Sequence, residues 1–370
     1  MIYFDNAATA PLCDASKMIL TKDFGNPSSP HALGLDAERK LKEAAKDLAE
    51  ILSCHSEEVI FTSGGTESNN LGILGAAFAL KSERGRNRNM HILASNQEHP
   101  SVTKPLAYLA SLPGYKVSYA APSDWEAYIN EDTALICANQ VDSETGCVLR
   151  IKDISDAVLF VDGAQGFCKT APTIKADIYT FSGHKFHGPM GVGGMYIRKG
   201  IRLQPLIYGG GQQRRIRPGT ENVPGILAML AAAKEQWQNR VENHSKMLRI
   251  KNILASMVDE MPESEIYINQ IDEFSSPYIL NMSFVGVRGE TLTSLLSSKG
   301  IYVSMGTACR AKKESALVGM GFSRERAESA VRLSFSAMNT EEEAYQAKEI
   351  IKDSVKQLKK ITGNKRKGRK

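Results

Sequence analysis

The sequence predicts an α/β protein, with a large doubly wound domain built on a mainly parallel sheet and a smaller α+β domain after it. Three observations carry this expectation. Short apolar runs repeatedly end in small or polar residues, helical stretches lie between several of them, and 370 residues suit about two domains. The composition, 42% hydrophobic and 24% charged, is that of a globular chain and excludes a disordered or fibrous one.

The first residues, MIYFDNAATA, carry an acidic first charge and no basic segment ahead of a long apolar one, so no secretory signal is expected. After a Gly/Asn/Pro/Ser loop at Gly25–Pro30, Leu41, Ala44, Ala45, Leu48 and Leu52 recur at three- and four-residue steps. That spacing predicts an amphipathic helix over Leu35–Leu52. The runs Val59–Thr62, His91–Ser95, Ala134–Ala138, Val158–Val161, Ile178–Phe181 and Val192–Ile197 read as strands of a largely buried sheet, with a helix over Ser68–Lys81 after the first. A long helical pattern from about Gly225 to Met261 leads into a second cluster: Tyr278–Phe284, Ile301–Ser304 and Ala330–Phe335 as strands, then a charged helix from about Thr340. The expected division is a large domain over 12–240, a small one over 241–362 that also takes residues 1–11, and a basic tail over 363–370.

Lys and Arg outnumber Asp and Glu by 46 to 41, but Lys365, Arg366, Lys367, Arg369 and Lys370 account for the whole excess. The body of the chain is therefore neutral and presents no net field to nucleic acid; the tail reads as a solvated end. The longest nearly unbroken apolar stretches, Leu71–Leu80 and Gly225–Ala233, fall far short of the ~20 residues that cross a bilayer, so no membrane span is expected. Six cysteines are scattered without CxxC or paired zinc spacing, which suits a reduced compartment, the cytoplasm, and implies no metal. Five read as core fillers. Cys309 differs, with Gly306, Thr307 and Ala308 before it and Arg310, Lys312 and Lys313 after it.

Three segments carry chemistry. In VIFTSGGTESNN (Val59–Asn70) a strand passes through Gly64 and Gly65 into a helix start, where free N–H groups, the dipole and Thr66 suit a phosphate; the same residues also suit an ordinary turn and cap. VLFVDGAQGF (Val158–Phe167) places Asp162 after buried residues, where a carboxylate needs a partner. YTFSGHKFHGPMGVGG (Tyr179–Gly194) places Lys185 after another buried strand, and a buried Lys there serves either a Schiff base or an ion pair with Asp162. Phosphate cradle, Asp and Lys together at the strand ends of an open parallel sheet are what pyridoxal phosphate requires, with His99 of EHPSV as an aromatic cover for its ring.

DNAATAP, GNPSSPH, SGGTESNN, QEHPSV, VDGAQ, SGHKFHGPMGVGG, GGGQQRRIRPGTENV, GTAC and RLSFS follow one another in this chain. In that order they resemble the cysteine desulfurases of the NifS/IscS type, within the class V aminotransferase family, from about residue 3 to 340. The resemblance implies a fold-type-I pyridoxal-phosphate enzyme. Lys185 would hold the cofactor, Asp162 and Gln165 would contact its ring, His99 would stack on it, and Gly65, Thr66, Ser182 and His184 would hold its phosphate side. It further implies that Thr220 reaches the phosphate of a neighbouring subunit, giving a homodimer with shared active sites. Asn26 and Arg332 would bind the substrate, L-cysteine, with Arg332 clamping its carboxylate. Cys309 would take the sulfur as a persulfide, leaving alanine, and pass it to an acceptor protein such as an iron–sulfur scaffold or a tRNA-thiolation protein. A selenocysteine lyase and a non-catalytic partner-binding homologue are the alternatives. Ser143 stands in the ring-contacting loop where the family usually has Asn, Pro218 where Ser or Ala is common, and the stretch after Cys309 is about three residues shorter than usual.

Overall fold

The computed structural model describes the chain except residues 23, 86–87, 150–155, 171–175, 271–273, 307–315 and 368–370. Seven strands form one sheet: β1 (Val59–Thr62), β2 (Met90–Ser95), β3 (Tyr115–Ala120), β4 (Thr133–Asn139), β5 (Val158–Asp162), β6 (Ile178–Ser182) and β7 (Gly193–Ile197). Their order is β1-β7-β6-β5-β4-β2-β3. All neighbours are parallel except β7, which runs antiparallel to both β1 and β6. Six of the seven are buried almost throughout, which is why they read as unbroken apolar runs.

Helices cover both faces. On one, α3 (Gly65–Arg84) and α4 (Pro100–Ala110) place Leu71, Ile73, Val102 and Leu106 against Ile60, Ile92 and Phe160. Gly72 lets α3 lie directly on the sheet, since a Cβ there would stand 2.7 Å from the Phe160 ring. On the other, α1 (Asp14–Leu20), α2 (Ala32–Leu52) and α5 (Val223–Gln238) pack around Leu48, Ile226, Met229, Phe61 and Phe181. α2 begins where His31 Nδ1 accepts from the Gly34 N–H and ends at Ser53, whose φ of 55° is the left-handed turn that stops a helix.

The chain divides into two compact units. The sheet belongs to Ala10–Val141 with Leu149–Gln238, and the smaller unit comprises Met1–Thr9, Asp142–Val148 and Asn239–Lys370. The segment Asp142–Val148, inside the range expected for the large domain, thus groups with the smaller unit. That unit holds an antiparallel sheet of β8 (Ile266–Ile268), β9 (Ile279–Phe284), β10 (Ser304–Met305) and β11 (Ala330–Ser334), in the order β10-β11-β9-β8. Its core joins Phe4 and Phe335, whose rings meet edge to face at 5.1 Å, to Met282, Leu292 and Leu333. The helix α6 (Arg240–Ala255), α7 (Gly289–Ser298) and α8 (Glu341–Lys367) complete it.

The single long helix expected over Gly225–Met261 is broken at Asn239 and again near Ser256, whose hydroxyl bonds back to the Ile253 carbonyl at 2.9 Å. Such local side-chain bonding competes with helix continuation. The final helix also runs into the expected tail, reaching Lys367. Among the described residues, no helix is long and apolar enough to cross a membrane.

Candidate active site

In the larger unit, β1 ends at Thr62 and the chain turns through Ser63 and Gly64 into α3. Gly64 has φ +147°, which favours glycine, and among the described residues no side chain caps the helix, so its first N–H groups are available to an anion. Ser182, at the end of β6, borders this cradle: a Cβ on Gly65 would stand 3.5 Å from the Ser182 Cβ. Gly193 backs it at closest approach, since a Cβ there would lie 2.7 Å from the Gly64 Cα. Thr66 and His99 line an open groove of about 460 Å³ together with Asn70, Lys104 and Tyr108.

Asp162 closes β5 with its carboxylate fixed at both oxygens: Oδ2 accepts from Asn69 Nδ2 at 2.8 Å and Oδ1 from the Ala164 N–H at 2.9 Å. Asn69 is itself held, accepting from Thr180 Oγ1 at 2.6 Å and donating to Ser101 Oγ at 2.8 Å. Ser101 Oγ lies 2.7 Å from His99 Nδ1, and the Ser101 N–H donates to the same nitrogen at 3.1 Å. A backbone N–H can only donate, so Nδ1 accepts and the neutral ring carries its proton on Nε2. Burial holds the His99 pKa below the ordinary histidine value, with the Lys185 charge adding to the effect and Asp162 opposing it. Lys185 ends a short 3-10 turn, Gly183–Lys185, directly after β6. Its neighbour His184 is pushed down to about 4 by burial and by the Lys185 and Lys169 charges, so its ring is neutral at pH 7.

The segment carrying Thr220 is anchored to the same strand and helix. The Gln213 amide takes the Phe61 N–H on Oε1 at 2.6 Å and donates to the Phe61 carbonyl at 2.9 Å, extending the edge of β1 as a neighbouring strand would. Arg217 pairs with Glu67 of α3 at 2.8 Å. Burial raises the Glu67 pKa, but hydrogen bonds from Arg217 and Ser63 outweigh it and leave the carboxyl below its ordinary value. Thr220 itself is exposed. Gln165 is buried, with Oε1 accepting from Lys169 at 3.4 Å. Asn26 is exposed and caps its own turn, accepting from the Ser28 N–H at 3.0 Å.

Ser143 and Arg332 lie in the smaller unit, where Arg332 Nη1 donates to the Ser143 carbonyl at 2.9 Å and Nη2 to Asp5 Oδ1 at 3.0 Å. Cys309, Arg310, Lys312 and Lys313 lie outside the described residues. Of the described thiols, burial drives Cys54 up to about 12 and Cys137 and Cys168 well above the ordinary range. Sequence reasoning passed over Asn69, Ser101 and Thr180. The first two stand inside the quoted motifs SGGTESNN and QEHPSV, so a signal was there.

A family model, Aminotransferase class-V, matches residues 2–346. The chain belongs to the class-V aminotransferase family. Its curated relatives include a NifS/IcsS protein homolog of Lactobacillus delbrueckii subsp. bulgaricus, 38% identical over 93% of this chain and 94% of that one. The cysteine desulfurase IscS of Methanosarcina thermophila is 32% identical over 98% and 93%. Among solved structures, a NifS-like protein superposes with a TM-score of 0.84 at 31% identity, covering 98% of this chain and 99% of its own. A structure of SspA in complex with cysteine gives 0.77 at 28%, covering 91% and 99%. Class-V enzymes of this group use pyridoxal phosphate, and the larger unit fits it: an uncapped helix N-terminus with a glycine cradle for the phosphate, a fixed carboxylate for the ring nitrogen, an imidazole for the ring face and a lysine.

Proposed function

We propose that the protein is a pyridoxal-phosphate-dependent cysteine desulfurase that converts L-cysteine to L-alanine and carries the sulfur on Cys309 as a persulfide. The observation that carries this reading is the hydrogen-bonded path from Asp162 through Asn69 and Ser101 to His99, in the unit whose strand β6 runs directly into the turn that bears Lys185. Relatives that bear the name cysteine desulfurase support it.

Bound pyridoxal phosphate supplies the electron sink that lets bonds at the cysteine Cα and Cβ break. Lys185 would hold it and, as a free amine, would move a proton at Cα. Asp162, with both oxygens fixed, would present its charge to the ring nitrogen, and His99, protonated on Nε2, would cover the ring. Gly65, Thr66, Ser182 and neutral His184 would hold the phosphate side, with Gln165 at the ring and Ser143 in the contacting loop. Arg332 would clamp the substrate carboxylate, with Asn26 as a second contact. The Cys309 thiolate would form an S–S bond to the substrate sulfur as its C–S bond breaks; the electron pair stays with Cβ, which takes a proton and gives alanine. Exposed Thr220, on a segment braced by Gln213 and Arg217, suits a homodimer in which it reaches the neighbouring site. The acceptor would be a cytoplasmic iron–sulfur scaffold or tRNA-thiolation protein.

The test is alanine release from L-cysteine in the presence of a thiol reductant. Wild-type protein should be yellow and release alanine, Lys185→Ala should do neither, and Cys309→Ser should stay yellow yet carry no persulfide by mass spectrometry. A wild-type protein that binds the cofactor but releases no alanine would sink the reading.

A further inference from the structure

The Arg332 guanidinium is only 9% exposed, and it is only partly satisfied. Nη1 and Nη2 each have a protein acceptor, while Nε is buried with none among the described residues. A buried guanidinium with a donor left over is costly unless something else completes it. What holds the rest of the fork in place is one oxygen of Asp5, from the N-terminal DNAATAP segment. Asp5 is fixed in turn: Ser304 Oγ donates to the same Oδ1 at 2.8 Å, Asp5 bridges to Ser334 in parallel, and its carbonyl accepts from the Tyr3 hydroxyl at 3.2 Å. Ser304 stands opposite Arg332 in the β10–β11 register, so carboxylate, hydroxyl and guanidinium share one side of the sheet.

The geometry points to Asp5 as a positioning residue: by taking Arg332 at a single oxygen it aims the fork and leaves the remaining Nη donors for the carboxylate of the amino-acid substrate. Single-oxygen attachment is the important detail. A bidentate Asp5 would satisfy the fork by itself, and no Asp5 would leave a long side chain anchored only by the Ser143 carbonyl. Asp5 also brings negative charge near an incoming carboxylate, which opposes binding; the positioning role requires that aim outweigh this repulsion, and the two effects have opposite signs in KM. The inference rests on the reading of Arg332 as the carboxylate clamp.

The experiment compares Arg332→Ala, Asp5→Ala, Asp5→Asn and Ser304→Ala in the holoenzyme, with KM and kcat for L-cysteine and, separately, the affinity for L-alanine read from the visible band of the bound cofactor. Arg332→Ala should raise KM strongly. Asp5→Ala should raise KM and weaken L-alanine binding about tenfold, with kcat falling far less, the scale of one lost charge-assisted hydrogen bond. Asp5→Asn keeps the acceptor oxygen without the charge and should restore most of the affinity. Ser304→Ala should raise KM severalfold, and serves where Asp5→Ala fails to fold by thermal melting. If Arg332→Ala raises KM while Asp5→Ala and Ser304→Ala leave it unchanged or lower it, Asp5 does not position the clamp. If Arg332→Ala itself leaves KM unchanged, the clamp reading falls and takes the proposal with it.

Discussion

Asn69 makes three hydrogen bonds from one buried amide, to Asp162, Ser101 and Thr180, and so decides where the Asp162 charge sits. Asn69→Ala would take their partner from buried atoms of Asp162 and Thr180, each worth about 1–3 kcal/mol, while Ser101 keeps His99. It should lower unfolding free energy in urea by about 2 kcal/mol or more and weaken cofactor binding; an unchanged midpoint would show that water replaces the amide without cost. His184 gives a second expectation at this scale. With its folded pKa near 4 and an ordinary unfolded value of about 6.5, the unfolded chain takes up a proton first as pH falls, so stability is lost between pH 6.5 and 4 and levels off below. Replacing it with Asn should flatten the melting temperature over that window, and a profile that keeps its slope would contradict the assignment. The sequence made Asp162, Lys185 and His99 legible because each stands beside a strand end or a cap. The tautomer of His99 was not legible, because it depends on a backbone N–H two residues on.

At the scale of elements, the cradle exists because two backbones approach without side chains. Gly193→Ala would push a Cβ to 2.7 Å from both the Gly64 Cα and the Phe181 carbonyl, atoms that cannot swing aside. The strands must separate at the anion site, so this change should reduce cofactor affinity at least tenfold and lower the melting temperature; near-native cofactor retention would show that β1 and β7 shift freely. The six strands read from apolar runs correspond to β1, β2 and β4 to β7 because both faces of the sheet are covered. The strand β3 escaped notice because it lies at the edge, where Lys116 and Ser118 break the apolar run and burial is partial. The break at Asn239 escaped for a related reason: the apolar spacing continues across it, so periodicity alone runs the two helices together.

At the scale of the whole molecule, the thiols are sorted by environment. Burial keeps Cys54, Cys137 and Cys168 protonated at neutral pH, and Cys13 is enclosed. Arg310, Lys312 and Lys313 follow Cys309 within four positions and should favour its thiolate. Iodoacetamide at pH 7 should therefore label Cys309 first in the native protein, and replacing the three cations with Ala should move that labelling to higher pH. First labelling at half-exposed Cys147 would remove the case for Cys309 as nucleophile.

By itself the sequence determined the α/β class, the large sheet, the family and with it the dependence on pyridoxal phosphate, because these are written in local patterns: apolar runs, glycine turns and contiguous motifs. Only the tertiary structure decided which distant groups complete them. Asn69 of α3 meets Asp162 of β5 and Thr180 of β6, Gln213 completes the edge of β1, Asp142–Val148 joins the smaller unit, and Asp5 meets Arg332 across 327 positions of chain. No spacing rule reaches that far, since hydrogen bonds between remote segments are set by how strands and helices stack and not by the residues that flank each partner.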